Sequence, residues 1–289
     1  MYSISTDSHL CCKKKDMMKY CIKCFKQIDC KLKNKHIENF INDIIINYFS
    51  SNNFHNFTHA FEVFQMSFYL QKCNTELSQR DRKILLVTAL CHDINHIGLS
   101  NTSLKRTKKD SYVSVSSKDV QEDVIYSYNK ILYKADSYDS IFDIANTDSY
   151  NEIIHIQQTA IIMSRHMQNI FDIDNLTDIE SINRKISSLI LSTDLKLSSK
   201  YIDIIDDKHN TDSLTQMMLI LKLSDISHPC RPTQVHMYWV FKLITETHNS
   251  FDESLSHVAQ DTLFFMKQFV EPLLLRFINF YNKNKYQKQ

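Results

Sequence analysis

The chain carries a single glycine, Gly98, and three prolines in 289 residues. Glycine is the residue that supplies left-handed backbone without steric cost, so strand-rich topologies with tight hairpins need several. Glycine-rich phosphate loops and dinucleotide fingerprints need several at fixed spacing. A chain with one is excluded from both classes. Helices joined by Asn, Asp and Ser turns fit such a composition. The sequence therefore predicts an all-α fold, a compact multi-helix domain. Hydrophobic residues at 43% supply a large core, and charged residues at 23% a soluble surface.

Charge removes a further class. Thirty-four Lys and Arg balance 33 Asp and Glu, leaving a net charge of +1. Binding to a phosphate backbone draws on a basic excess, so nucleic acid is not an expected partner. No apolar run reaches the length of a membrane span, and Ile44–Ile46 is flanked by Asp43 and Asn47. Met1 to Leu10 lacks a charged-then-apolar signal pattern. Eight cysteines in a chain of this length then point to reduced thiols and a cytoplasmic location.

Residues 1–35 are polar and Lys-rich and hold Cys11, Cys12, Cys21, Cys24 and Cys30, so they read as an N-terminal extension before a helical domain over 36–289. Cys21 and Cys24 have zinc-ligand spacing, but no second matched pair accompanies them. From His36 the positions Ile37, Phe40, Ile41, Ile44 and Ile45 give an apolar helical stripe. Further helices are expected over 57–70, 81–93, 118–134, 150–170, 178–195, 212–226, 233–249 and 257–282, the last kinked by Pro272. The span 98–117 reads as an exposed loop.

Chemistry concentrates at helix boundaries. His92 and Asp93 end a strongly apolar run, with His96 four residues on, one helical turn if the helix continues. His55 and His59 show the same spacing before another apolar helix, and Asp225 ends a third. An imidazole beside a carboxylate on an apolar wall is costly unless paired or bound to metal. Two imidazoles and two carboxylates form a mixed N/O donor set suited to zinc, with a carboxylate-rich second position suited to magnesium or manganese. Taken singly, each histidine reads as a hydrogen-bonded residue and each aspartate as a helix cap; their joint occurrence at helix ends points to a metal site.

Four blocks resemble one family. Asn52-x-Phe-His-Asn-Phe-x-His-Ala60, Ala89 to Asn101 (ALCHDINHIGLSN), Ser192-Thr-Asp194 and Leu223 to Pro229 followed by Trp239 are similar to the motifs of the class I cyclic nucleotide phosphodiesterase catalytic domain, in that family's order. The resemblance implies a fold of the helical His-Asp superfamily. It implies hydrolysis of cAMP or cGMP to the 5′-monophosphate by a hydroxide activated between two cations, zinc and magnesium or manganese. It places His59, His92, Asp93 and Asp225 on the first metal, with Asp93 bridging to the second. His96, Thr193, Glu152 and His155 would orient the surrounding water, Glu152 also being a candidate to orient His55. His55 would be the acid that protonates the leaving O3′. Phe265 would stack on the base, and His228, Thr262 and Gln260 would lie near it. The sequence departs from the family here: Thr262 falls where a base-selecting glutamine is expected, and His228 where Asn is common. A phosphohydrolase of the same superfamily acting on another phosphoester would need the same metal ligands without the purine clamp. A helical binding module that keeps metal for structure alone has no need of an ionisable His55.

Overall fold

The computed structural model describes residues 13–73, 76–107, 149–173, 175–206, 212–247 and 258–286. The described residues are helical, with no strand among them. In chain order the helices are α1 (Lys14–Ile28), α2 (Asn34–Ile46), α3 (Phe57–Leu70), α4 (Gln79–Cys91), α5 (Asn101–Thr107), α6 (Tyr150–Phe171), α7 (Leu176–Leu191), α8 (Ser198–Asp206), α9 (Ser213–Asp225), α10 (Thr233–Thr247), α11 (Val258–Phe265) and α12 (Glu271–Tyr286). The helix expected over 118–134 lies outside the described residues; of the loop expected over 98–117, residues 101–107 form α5 and 108–117 lie outside the described residues.

Asn, Ser and Asp do the capping. Asn56 accepts from the N–H groups of Thr58 and His59 at the start of α3. Ser78 caps α4, Asn175 caps α7 and Asp212 caps α9, each accepting from the N–H three residues on. Left-handed backbone is carried by Asn95 (φ 62°) and Asp172 (φ 55°) as well as Gly98 (φ 77°). Asn and Asp tolerate that region better than other side-chain-bearing residues, which is how one glycine suffices.

The centre of the molecule is built from α3, α4 and α9. Ile84 to Val87 are buried without interruption, and Met217 to Leu223 likewise. A helix that is apolar all round must be enclosed. Two buried hydroxyls on these helices donate back along the helix, Thr88 to the Ile84 carbonyl (2.8 Å) and Ser224 to that of Ile220 (2.7 Å), so neither needs a partner across the core.

One expectation is corrected and another is refined. The proposed extension over 1–35 is in its described part an integral layer: Met17, Cys21, Cys24 and Phe25 of α1 are buried in the main core. Phe25 meets Phe40 edge-on at 6.3 Å and Phe64 at 5.8 Å. Buried Lys83 of α4 pairs with Asp29 (2.9 Å) and the Ile170 carbonyl (3.0 Å), fastening the α1–α2 corner to the end of α6. The lysines of α1 hid a stripe at 17, 21, 24 and 25 in which cysteines act as small hydrophobes. Near the C-terminus, Pro272 does not stand alone as a helix breaker: a π-helical turn over Met266–Val270 precedes it and joins α11 to α12, widening the hydrogen-bond register next to a residue with no N–H to give.

Phe25→Ala should destabilise the protein by about 3–5 kcal/mol, the usual loss for a fully buried Phe, read from denaturant unfolding. A change below about 0.5 kcal/mol, as for a surface position, would show that α1 is peripheral after all.

Candidate metal centre and catalytic site

Three helix ends meet at one point. His59 lies in the first turn of α3, His92 and Asp93 follow α4 directly, and Asp225 is the last residue of α9. His59 Nε2 is 3.1 Å from Asp225 Oδ1 and 3.4 Å from Asp93 Oδ2; His92 Nε2 is 3.2 Å from each of the same atoms. One ligand atom from each of the four residues lies within 4.8 Å of the others. Helix α4 ends at Cys91, so His92 and His96 do not share a helical face as their spacing suggests; residues 92–95 turn, and left-handed Asn95 redirects the chain.

The protonation pattern of this cluster shows that it fits a cation. His92 Nδ1–H donates to the Ala89 carbonyl at 3.0 Å, and a carbonyl only accepts. A neutral His92 therefore points a bare Nε2 lone pair at two carboxylate oxygens. Such an arrangement is repulsive unless a proton or metal lies between. Burial opposes ionisation of both carboxyls, yet the charge of His92 holds Asp93 and Asp225 well below the usual carboxylate range. Burial likewise opposes a charged His92, yet Asp93 and Asp225 raise its pKa well above the ordinary value. The donor set of two Nε2 atoms and two carboxylates is one that divalent cations take, and second-sphere carbonyls such as that of Ala89 are what orient a ligating imidazole.

Beside the cluster, His55, His96 and His155 form a stack. His55 and His96 lie at 3.8 Å and 19°, His96 and His155 at 5.6 Å and 26°. Asn52 Nδ2 ties the two loops together, donating to the carbonyls of His55 (3.0 Å) and His96 (2.6 Å). Glu246 of α10 holds His55: its carboxylate accepts from the Phe54 and His55 N–H groups (2.6 and 3.0 Å) and pairs with His55 Nδ1. Burial would lower the His55 pKa, but the Glu246 bond and the nearby Asp93 and Asp225 charges raise it instead. Burial and the charge of His55 push His96 down to about 3, and burial pushes His155 down to about 4. One ring of the stack thus has its charged form favoured, and the other two are held neutral near pH 7.

His55, His96 and Glu246 also come close enough to suggest a second ligand set, but hydrogen bonding rules it out. His96 Nδ1 accepts from the Gly98 N–H at 3.0 Å, so its Nε2 carries the proton and has no lone pair to give. Both Glu246 oxygens are already engaged.

The family model described as 3'5'-cyclic nucleotide phosphodiesterase matches residues 54–141 and 128–288. The chain belongs to that family. The mouse high affinity cGMP-specific 3',5'-cyclic phosphodiesterase 9A is 28% identical over 208 residues, 68% of this chain and 33% of that protein. The human high affinity cAMP-specific and IBMX-insensitive 3',5'-cyclic phosphodiesterase 8A is 25% identical over 213 residues, 72% of this chain and 25% of that protein. The chain thus spans a third or less of the length of these curated relatives. The crystal structure of the phosphodiesterase domain of Salpingoeca rosetta rhodopsin phosphodiesterase matches with a TM-score of 0.71 at 17% identity, covering 93% of this chain and 82% of that one. Its fold is shared.

In this phosphodiesterase-family chain the remaining expected residues divide. His155 Nδ1–H donates to the Ile94 carbonyl (2.6 Å), leaving its Nε2 facing Asp93 Oδ1 at 3.8 Å. Glu152 is buried and accepts from Asn101 (2.9 Å); burial and Asp194 raise its pKa to about 7. It is Glu246, not Glu152, that orients His55. Thr193 is buried and donates its hydroxyl to the Ile190 carbonyl (2.7 Å). Phe265 lies nearly parallel to His228, 6.1 Å away at 18°. Thr262 is half-buried, and Gln260 is exposed.

Sequence reasoning missed Glu246 and His236, whose Nδ1 is 3.0 Å from that of His228. A signal was available. His236, Trp239, Leu243 and Glu246 recur at three, four and three on α10, one face, and Trp239 marks where it points, packing on Phe54 at 5.4 Å and His59 at 5.7 Å.

Asp225→Ala removes an oxygen that faces both Nε2 atoms and should abolish tightly bound divalent metal. Elemental analysis of purified protein checks this; stoichiometric metal in the variant would show that Asp225 is not a ligand.

Proposed function

We propose that the chain is a metal-dependent 3′,5′-cyclic nucleotide phosphodiesterase hydrolysing cAMP, cGMP or both to the 5′-monophosphate. One observation carries the reading: His55, paired with the Glu246 carboxylate, stands beside a four-residue N/O cluster able to hold a metal, in a chain of this family. His59, His92, Asp93 and Asp225 would hold zinc. Asp93 would also reach a magnesium or manganese ion, since Oδ2 faces the two imidazoles while Oδ1 is turned toward His155. When bound, such cations supply a water ionised near neutral pH and positive charge for the phosphoryl oxygens.

The chain's own residues do the rest. Glu246 engages His55 Nδ1, so the imidazolium presents its other proton, on Nε2, to the leaving O3′. Neutral His96 offers an Nε2–H and neutral His155 a bare Nε2, one donor and one acceptor for water in the site. With no helix among the described residues long and apolar enough to cross a membrane, the reading adds a cytoplasmic location. The runner-up, a superfamily phosphohydrolase on another phosphoester, draws on exposed Gln260 and on Thr262, which leave no long amide at the expected base-selecting position; activity across a panel of phosphoesters separates the two.

His55→Ala should lower turnover of cyclic nucleotides by about 10²–10⁴-fold and that of a nitrophenyl diester, whose leaving group needs no proton, far less. Equal losses on both would assign His55 another role. The acid form is required, so kcat/KM should be high below the His55 pKa and fall as pH rises through it. Glu246→Gln removes the carboxylate that raises this pKa and should move the alkaline limb to lower pH; an unmoved limb would detach Glu246 from the proton. Stability carries the same sign. The pair stabilises the fold fully below the ordinary histidine value of 6.5 and loses that contribution as pH rises through the raised one.

A further inference from the structure

Two imidazoles next to the metal cluster take no part in it. His228 and His236 lie nearly parallel, 5.1 Å apart at 17°, with their Nδ1 atoms 3.0 Å apart. Phe265 continues the array on His228. Phe54 joins it to the cluster, 6.4 Å from His228 and 4.6 Å from His59. An aromatic wall thus starts at the metal ligands, and a phosphate held by those ligands would bring its attached base alongside the wall.

The Nδ1 contact restricts the protons. At 3.0 Å one nitrogen must donate and the other accept. Burial and the neighbouring His236 lower the His228 pKa to about 3, and burial lowers that of His236, so both rings are neutral near pH 7. A neutral imidazole has one N–H. If His236 donates, His228 carries its proton on Nε2; if His228 donates, its Nε2 is bare. The Nδ1 atoms of His92, His96 and His155 are each tied to a backbone group. This pair is tied to itself, and the two arrangements interconvert when the shared proton passes from one Nδ1 to the other while water takes a proton from one Nε2 and returns one to the other.

We propose that His236 is a specificity-determining residue that lets His228 present either a donor or an acceptor at Nε2, so that the site accepts adenine and guanine cyclic nucleotides alike. The inference rests on the phosphodiesterase reading above. Adenine offers an exocyclic N–H donor where guanine offers a carbonyl acceptor. A site built rigidly for one pattern rejects the other by about 10⁴–10⁵-fold; a pair that can swap roles does not. Thr262 is consistent with this, since a hydroxyl also donates or accepts.

Steady-state kinetics on cAMP, cGMP and bis(4-nitrophenyl) phosphate tests the proposal. The expected ratio of kcat/KM for the two cyclic nucleotides is within about tenfold. In protein carrying ¹⁵N-histidine, the His228 Nδ1 and Nε2 signals should exchange protonated and bare character between the 5′-AMP and 5′-GMP complexes. His236→Phe keeps the ring and removes both nitrogens, so KM for both cyclic nucleotides should rise about tenfold. His236→Asn, whose amide can donate or accept from the position of Nδ1, should restore it. Turnover of the small diester with rejection of one purine by more than about 10³-fold overturns this inference and leaves the phosphodiesterase reading standing. The same tautomer in both complexes, or unchanged KM in His236→Phe, also overturns it. No turnover of any diester overturns the phosphodiesterase reading and this inference with it.

Discussion

Two carboxylates, Asp93 and Asp225, face two Nε2 atoms inside a protein core, and that arrangement is stable only with positive charge between them. Most of the architecture serves to bring these groups together. Helices α3, α4 and α9 are largely buried, and each delivers cluster residues at one of its ends: His59 in the first turn of α3, His92 and Asp93 just after α4, and Asp225 as the last residue of α9. The apolar runs therefore do more than fill the core. They fix the direction in which each helix ends, and so where the cluster residues arrive. The Ala89 carbonyl then sets the His92 tautomer, and Asn56, by capping α3, positions the turn that carries His59.

The shortage of glycine shapes how the site is wired. Where the chain turns sharply, it uses Asn and Asp, whose side chains then become available for local bonds. Left-handed Asn95 directs the chain from His92 toward His96. Asn52 bridges the two histidine loops, and its Oδ1 lies 3.4 Å from where a Cβ on Gly98 would stand. The one glycine is thus held at a place where φ is 77° and its N–H must reach His96 Nδ1. The positive φ strains most side-chain-bearing residues there, while the space around a Cβ would be ordinary contact.

How much of this was legible in the sequence follows from where the signal lay. Helix α3 is read to the residue because its apolar run starts at Phe57, soon after a polar Ser-Ser-Asn-Asn stretch at 50–53, and closes at Leu70. The four cluster residues stand out because each sits where an apolar helix ends. Helix α1 was hidden because its buried stripe uses Met and Cys among six lysines in and beside it. Glu246 was hidden for a different reason: it is 191 residues from His55, and only tertiary packing makes the two neighbours. The His92–His96 spacing pointed to a shared helical face, and both side chains do reach the site, but by a turn that ends the helix. Spacing alone does not distinguish those two routes.

The three stacked histidines show why identical side chains acquire different functions. Each is largely enclosed, so burial pushes every ring toward neutrality. What separates them is the partner on Nδ1. His155 meets a carbonyl, whose weak pull toward the charged form burial outweighs, and His96 an N–H, which selects the neutral tautomer. His55 alone meets a carboxylate. Once it is charged, its field lowers the proton affinity of the two rings stacked beside it, so the proton stays where Glu246 holds it. One carboxylate, delivered by a helix face distant in sequence, sets His55 apart from two rings whose tautomers are fixed by the Gly98 N–H and the Ile94 carbonyl.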